Sequence, residues 1–258
     1  MGCKSLVEHT IDTGTQRPIR QGLRSHPTAY LETIDKQIDE LIHDDFVERA
    51  ASAWALNVVL VRKNDGSRRL YVDYRALNEA MNKDTYPLPY IESDTCLSSM
   101  NGAVWFSTLD LRSGYHAIFI KESDCDKTSF ITRRGCFRYK VLPFGLTTVP
   151  SVFQRLMDLV LCGLTYVTCL VYLDDIIVYS RDFDSHVQRL QEVFDRLRGA
   201  SLKLHVKKCC LFQRKVAFLG HVLSEAGIEM QEDKVAAVFD WPTPENLQAV
   251  PPRMSFRD

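Results

Sequence analysis

The apolar positions along this chain change period several times, and each change marks an element. Ile34, Ile38, Leu41 and Ile42 recur at helical spacing and predict an amphipathic helix over 28–43. Residues 1–27 are polar and irregular, hold Pro18 and Pro27, and read as an extended arm. LNVVLVR at 56–62 and RRLYVDY at 68–74 flank the turn NDGS, a hairpin signature, and YPLPY at 86–90 reads as a rigid connector. AVWFSTLDL at 103–111 predicts a strand ending near Asp110, and 116–142 is strand-rich with a turn at Gly135. Val149, Phe153, Leu156, Met157 and Val160 share one face of a helix near 150–163. Pro150 suits its first turn, and Ser151 with Gln154 has capping-box spacing. Strands over 167–173 and 176–180 follow, separated by Asp174 and Asp175. Val187, Leu190, Phe194 and Leu197 mark the inward face of a helix near 184–198 that Gly199 stops, and 202–206 predicts a last strand.

Without the 116–142 insertion, the order from residue 103 is β-α-β-β-α-β, the split βαβ, ferredoxin-like arrangement. In that topology the first and second strands run parallel on either side of the third. Asp110 then meets Asp174 and Asp175 at one sheet edge, although 64 positions separate the first two in sequence. Aspartate is poorly suited to a strand, and adjacent aspartates alone are explained by a hairpin turn. A third carboxylate changes the balance. Two unit charges about 4 Å apart repel by roughly 4 kcal/mol at an effective dielectric near 20. Hard divalent cations relieve that repulsion, and two such ions can stabilise the attacking and leaving oxygens of a phosphoryl displacement.

Composition narrows the class. The 258 residues are 45% hydrophobic and 25% charged, which is ordinary for a globular chain, and no apolar run approaches membrane-spanning length. Eight scattered cysteines without a C-x-x-C pair fit a reduced, intracellular setting, cytoplasmic or nuclear. The net charge of −1 conceals segregation: residues 31–50 carry seven acids against two bases, whereas 127–140 carry five bases and no acid. Lys203, Lys207, Lys208, Arg214 and Lys215 make 201–216 equally basic. Basic patches of this kind are what a phosphate backbone feels, and they are also what solvated protein faces look like.

Five blocks, in order, carry a resemblance. LVRKNDGSRRLYVDYRALN (60–78), FSTLDLRSGYH (106–116), TRRGCFRYKVLPFGLTTVPSVFQRLM (132–157), YLDD (172–175) and FLGHVLS (218–224) resemble the reverse transcriptases of gypsy-like long-terminal-repeat retrotransposons, which are similar to retroviral polymerases. The resemblance implies an α+β fold with the fingers and palm of a right-hand polymerase, the palm a split antiparallel sheet with helices on one face. It divides the chain into an arm and helix (1–43), a catalytic domain (44–223) and the start of a thumb or connection region (224–258). Within the catalytic domain it assigns fingers to about 44–102 and 116–146, and palm to about 103–115 and 147–223. It implies that Asp110, Asp174 and Asp175 hold two Mg²⁺ ions, with Mn²⁺ as a substitute, and that Lys208 or its neighbour Lys207 acts as a general acid. Lys63, Arg69, Leu111, Gly114, Tyr115, Phe144 and Gly145 would surround the incoming deoxynucleoside triphosphate, Tyr115 as a steric gate against a 2′-hydroxyl. Leu219, Gly220 and His221 would grip the primer, and the patches at 127–140 and 201–216 would track the phosphates of an RNA or DNA template with its primer. Thr148 replaces an Asn of the commoner family form, with bulkier Val149 and Val152 nearby. The implied activity is RNA-directed DNA synthesis by a fragment of a polyprotein without its RNase H and integrase. The alternative is an inactive, nucleic-acid-binding remnant.

Overall fold

The computed structural model describes residues 7–62, 66–84, 86–87, 99–112 and 114–231. Lys63, the first half of the 64–67 turn, the end of the 86–90 connector and the tail beyond 231 lie outside the described residues.

Two sheets organise the molecule. The first has five strands in the order β2-β8-β7-β3-β4: β2 (Val47–Arg49), β3 (Leu56–Arg62), β4 (Arg68–Val72), β7 (Phe130–Thr132) and β8 (Gly135–Tyr139). Segments far apart in sequence therefore share one sheet, joined where β3 runs parallel to β7. The amphipathic stripe forms α1 (Thr28–His43), which buries Ile34 and Ile38. A short helix α2 (Arg75–Ala80) follows the β3–β4 hairpin, and a single-turn helix α3 (Glu122–Cys125) precedes β7.

The second sheet has the order β11-β5-β10-β9, all antiparallel pairs, built from β5 (Trp105–Asp110), β9 (Cys169–Tyr172), β10 (Asp175–Ser180) and β11 (Cys210–Gln213). The order matches the split βαβ expectation, with one correction. The fourth strand is 210–213, not 202–206; the earlier segment contributes only an isolated bridge from Leu204 to Leu111. All four residues of β11 are exposed at the sheet edge, so it lacks the alternation that marks a strand in sequence.

Alternation along the central strands divides the core. Leu109, Ile176 and Val178 face α4 (Val149–Val160) and α5 (Phe183–Gly199), whose buried residues include Phe153, Leu156, Leu190, Val193 and Leu197. Phe106, Ile177 and Tyr179 face the other way, against Val216, Phe218 and Leu223. Those three belong to a third sheet, β12 (Lys215–Phe218), β13 (His221–Ser224) and β14 (Gly227–Met230). This small sheet continues through residue 224, where the sequence reading placed a boundary. A strand covered on both faces explains the unbroken apolar runs around the aspartates.

The capping-box expectation for α4 is corrected. Thr148 occupies the N-cap position without a side-chain cap, and its hydroxyl meets His9 Nε2 at 3.2 Å. The inward face of α5 is also shifted: His186 and Val193 are buried, while Val187 is 43% exposed. Asp182 caps this helix, its carboxylate accepting from the Ser185 N–H at 2.8 Å. The arm packs closely, with β1 (Glu8–His9) parallel to β6 (Phe119–Ile120) and Ile11 1% exposed. Among the described residues no helix is long and apolar enough to cross a membrane.

Candidate active site at the carboxylate edge

Asp110 ends β5 and Asp175 begins β10, and the antiparallel register sets them directly opposite each other. Asp175 also pairs with Tyr172, so the turn holds only Leu173 and Asp174. The expectation of both aspartates in the turn is corrected to one in the turn and one opening the strand.

The turn is held from three sides. Leu173 adopts a left-handed φ of 53°, uncommon for a branched residue, and its N–H donates to Gln154 Oε1 at 3.0 Å. Gln154 is fully buried and its amide nitrogen donates to Asp158 Oδ1 at 3.0 Å. The Leu111 N–H donates to the Asp174 carbonyl at 3.3 Å. Gly114 starts a short 3-10 turn against the same carboxylate. A Cβ there would lie 2.6 Å from Phe153 Cζ and 2.8 Å from Asp174 Oδ1, so only glycine fits. Sequence reasoning missed Gln154, whose capping-box spacing suggested a local role rather than a reach into the turn.

Aromatic rings wall one side. Tyr115 meets Phe153 and Phe144 edge-on, at centroid distances of 4.9 and 5.3 Å. Phe144 also receives His116 at 5.3 Å and lies 5.1 Å beneath the Arg69 guanidinium. The expected nucleotide-contacting residues Arg69, Gly114, Tyr115 and Phe144 thus form one connected wall, while Lys63 lies outside the described residues. Gly145 takes a φ of 100° and its carbonyl accepts from Asn78 Nδ2 at 2.8 Å.

Electrostatics mark the edge as strained. Burial, then the charges of Asp110 and Asp175, pushes the Asp174 carboxyl up to about 6, against a hydrogen bond from Tyr115 that lowers it. Asp175 is raised by burial and by Asp110. Burial and the charge of Asp174 raise the Tyr115 phenol well above its ordinary value. Asp174 Oδ1 is buried without a hydrogen-bond partner. Lys208 Nζ donates to Asp110 Oδ2 at 3.0 Å, so the structure brings Lys208, rather than Lys207, to the edge. Among the described residues no three His, Cys, Asp or Glu side chains converge as a ready-made metal cage. An open carboxylate edge with an orphaned oxygen suits Mg²⁺, which keeps waters and takes substrate phosphates as ligands.

Leu219 and Gly220 form the two-residue turn between β12 and β13, with φ of 51° and 87°, and His221 opens β13. Leu219 packs against the second core cluster, which includes Phe106 and Ile177.

The two basic stretches part company. Every base of 127–140 has an acidic partner: Lys127 with Asp124, Arg133 with Asp35, Arg134 with Asp39, Lys140 with Asp45, and Arg138 with Glu48, Glu122 and Asp126. The charges expected to help track phosphates here are thus engaged with acids of the same chain. In 201–216 only Lys208 has an acidic partner among the described residues, and Arg214 lies 3.8 Å over the Trp105 ring.

A family model described as "Reverse transcriptase (RNA-dependent DNA polymerase)" matches residues 61–223. The chain is 36% identical over 253 residues to the "Retrovirus-related Pol polyprotein from transposon opus" of Drosophila melanogaster, covering 96% of this chain and 25% of that protein. It is 31% identical over 236 residues to the "Transposon Tf2-3 polyprotein" of Schizosaccharomyces pombe, covering 90% of this chain and 17% of that one. The chain thus spans at most about a quarter of these curated relatives. The foamy viral protease-reverse transcriptase in complex with an RNA/DNA hybrid superposes with a TM-score of 0.82 at 24% identity, over 96% of this chain and 33% of that one. Prototype Foamy Virus Protease-Reverse Transcriptase in its native form gives 0.72 at 26% identity, over 85% and 29%.

Proposed function

The chain belongs to the reverse transcriptase family, and from that premise we propose that it catalyses RNA-directed DNA synthesis for a long-terminal-repeat retrotransposon. The five-stranded sheet is the fingers and the four-stranded sheet the palm. The substrates are an RNA or DNA template with its primer and deoxynucleoside triphosphates. The primer 3′-hydroxyl attacks the α-phosphorus, and pyrophosphate leaves.

One observation carries this reading: Asp110 and Asp175 face each other in register, with Asp174 beside them under the wall of Tyr115, Phe144 and Arg69. Asp110, Asp174 and Asp175 would hold two Mg²⁺ ions, which when bound supply neutralisation of charge on the attacking and leaving oxygens. Arg69, with Lys63, neutralises the triphosphate, because catalysis of phosphoryl transfer is mainly positioning and electrostatics. Leu111 and Gly114 bring backbone to the phosphates, and Phe144 and Gly145 form the pocket floor. The Tyr115 ring, fixed between Phe144 and Phe153, excludes a 2′-hydroxyl. Lys208 holds its proton beside Asp110 for the departing pyrophosphate. Leu219, Gly220 and His221 hold the primer end.

Extension of a primed RNA template with Mg²⁺ tests the reading. Asp174→Asn is expected to lower the rate about 10³-fold, equivalent to about 4 kcal/mol. Absence of incorporation by the unaltered chain, or full activity in the variant, overturns it.

A further inference from the structure

A buried chain of hydrogen bonds runs between the four-stranded sheet and α5 and uses none of the residues assigned above. Ser107 and His186 are 0% exposed and Ser180 2%. The Phe212 N–H donates to Ser107 Oγ at 3.0 Å, Ser107 Oγ lies 2.8 Å from His186 Nε2, and His186 Nδ1 lies 3.0 Å from Ser180 Oγ. Ser180 Oγ donates its one proton to the Asp182 carbonyl at 2.8 Å. That last bond fixes the direction of all the others. Having given its proton away, Ser180 can only accept, so His186 carries its hydrogen on Nδ1. Nε2 is then an acceptor, and Ser107 donates to it while accepting from Phe212. Each group is satisfied by a neutral imidazole, and burial, followed by the charge of Arg189, lowers the His186 pKa to about 4.

The chain ends at a particular defect. Between Cys210, opposite Thr108, and Gln213, opposite Phe106, β11 holds one residue more than β5. Phe212 sits in this bulge with a left-handed φ of 55°. Its N–H goes to the Ser107 side chain instead of to a strand carbonyl. Upstream, the same segment is anchored again. The Arg112 N–H donates to the Lys203 carbonyl at 2.7 Å, and the His205 N–H to the Asp110 carbonyl at 2.8 Å. Residues 206–209 loop out between these two anchors, and Lys208 is on that loop.

We propose that His186 and Ser107 are positioning residues for Lys208. They hold the bulge of β11, the bulge fixes the slack in the 206–209 loop, and the loop sets Lys208 Nζ against Asp110. The upstream anchor joins these backbone bonds to Leu202 and Leu204 packed in the core, and the downstream one joins the Cys210–Thr108 strand pair to the bulge that this side-chain relay holds. The claim about catalysis rests on the reading of Lys208 as proton donor, but the claim about position does not.

The test has two arms on the full chain. In the first, lysines of the folded protein are acetylated with a small reagent and followed by mass spectrometry, with Lys207, exposed like Lys208 but without an acidic partner among the described residues, as internal reference. Lys208 should react several-fold more slowly than Lys207 in the unaltered chain. In Ser107→Ala the two rates should converge. His186→Phe keeps a ring against Phe212 without the hydrogen bonds and should do the same, while His186→Asn, which restores a donor near Nδ1, should fall between. In the second arm, kcat for single-nucleotide insertion should fall about tenfold in Ser107→Ala with the nucleotide KM within about twofold, the signature of a lost transition-state interaction. Unchanged protection of Lys208 in folded Ser107→Ala and His186→Phe overturns the proposal, as does a rise in KM without a fall in kcat. If the unaltered chain extends no primer, the polymerase reading fails, and the labelling ratio still decides whether the relay positions Lys208.

Discussion

Residues 127–140 and 201–216 carry the same number of bases and no acid, yet the fold puts them to different uses. The first stretch runs along the fingers sheet, where its charges meet the acid-rich segment of α1 and β2 at Asp35, Asp39, Asp45 and Glu48. The second passes the palm edge, where Lys208 reaches Asp110 and the other bases have no carboxylate partner among the described residues. Charge segregated along a sequence is therefore not charge displayed on a surface. A basic run and an acidic run of similar size can be complementary halves of one interface within the fold. What remains available to a polyanion is the stretch whose bases, Lys208 apart, meet no carboxylate among the described residues.

The largest effect that separates the two uses of charge is at the carboxylate edge. Asp110→Asn should lower primer extension about 10³-fold, roughly 4 kcal/mol. It should leave the melting temperature unchanged or higher, because it removes repulsion from Asp174 and Asp175. A fall in both would mean that the edge serves the fold. Next comes the arm, where burial holds His9 neutral and lowers its pKa to about 4. The unfolded imidazole protonates near 6.5. Stability from this group is complete above that value and is lost as pH falls toward 4, by up to about 3 kcal/mol. Urea denaturation at pH 7 and pH 4.5 should show a loss that shrinks by about 2 kcal/mol in His9→Gln. On the fingers, Arg138→Ala breaks three ion pairs to exposed carboxylates and should cost about 1 kcal/mol of stability by the same measurement. Affinity for template–primer should stay within about twofold, since that charge is already used within the protein.

The meeting of the carboxylates is legible in the sequence because it depends on order alone. The helical stripe through Val149, Phe153 and Leu156, and the apolar strands around 103–111 and 167–180, define the split βαβ topology. That topology brings Asp110 to Asp175 whatever the loops do. Less legible was anything decided by a polar side chain acting at a distance. His186 is fully buried on α5, but hydrophobic periodicity selected exposed Val187 beside it. Gln154 looked like a capping residue and instead holds Leu173 in its left-handed turn. Strand β11 is short, exposed and bulged, so neither alternation nor apolarity marks it, and a more regular-looking segment at 202–206 was chosen. Gly114 reads as freedom for the backbone near a phosphate, whereas the observed requirement is space for Phe153 and Asp174.

The contrast between the two basic stretches is tested most directly by the salt dependence of template–primer binding. Log affinity is measured against log salt for the unaltered chain, for Lys203→Gln/Arg214→Gln/Lys215→Gln, and for Arg133→Gln/Arg134→Gln. Each phosphate contact contributes about 0.7 to 0.9 to the slope. The palm triple variant should lose about two units of slope, and the fingers double variant should keep the unaltered slope while melting at lower temperature. An unchanged slope in the palm variant, with a reduced slope in the fingers variant, would contradict the account.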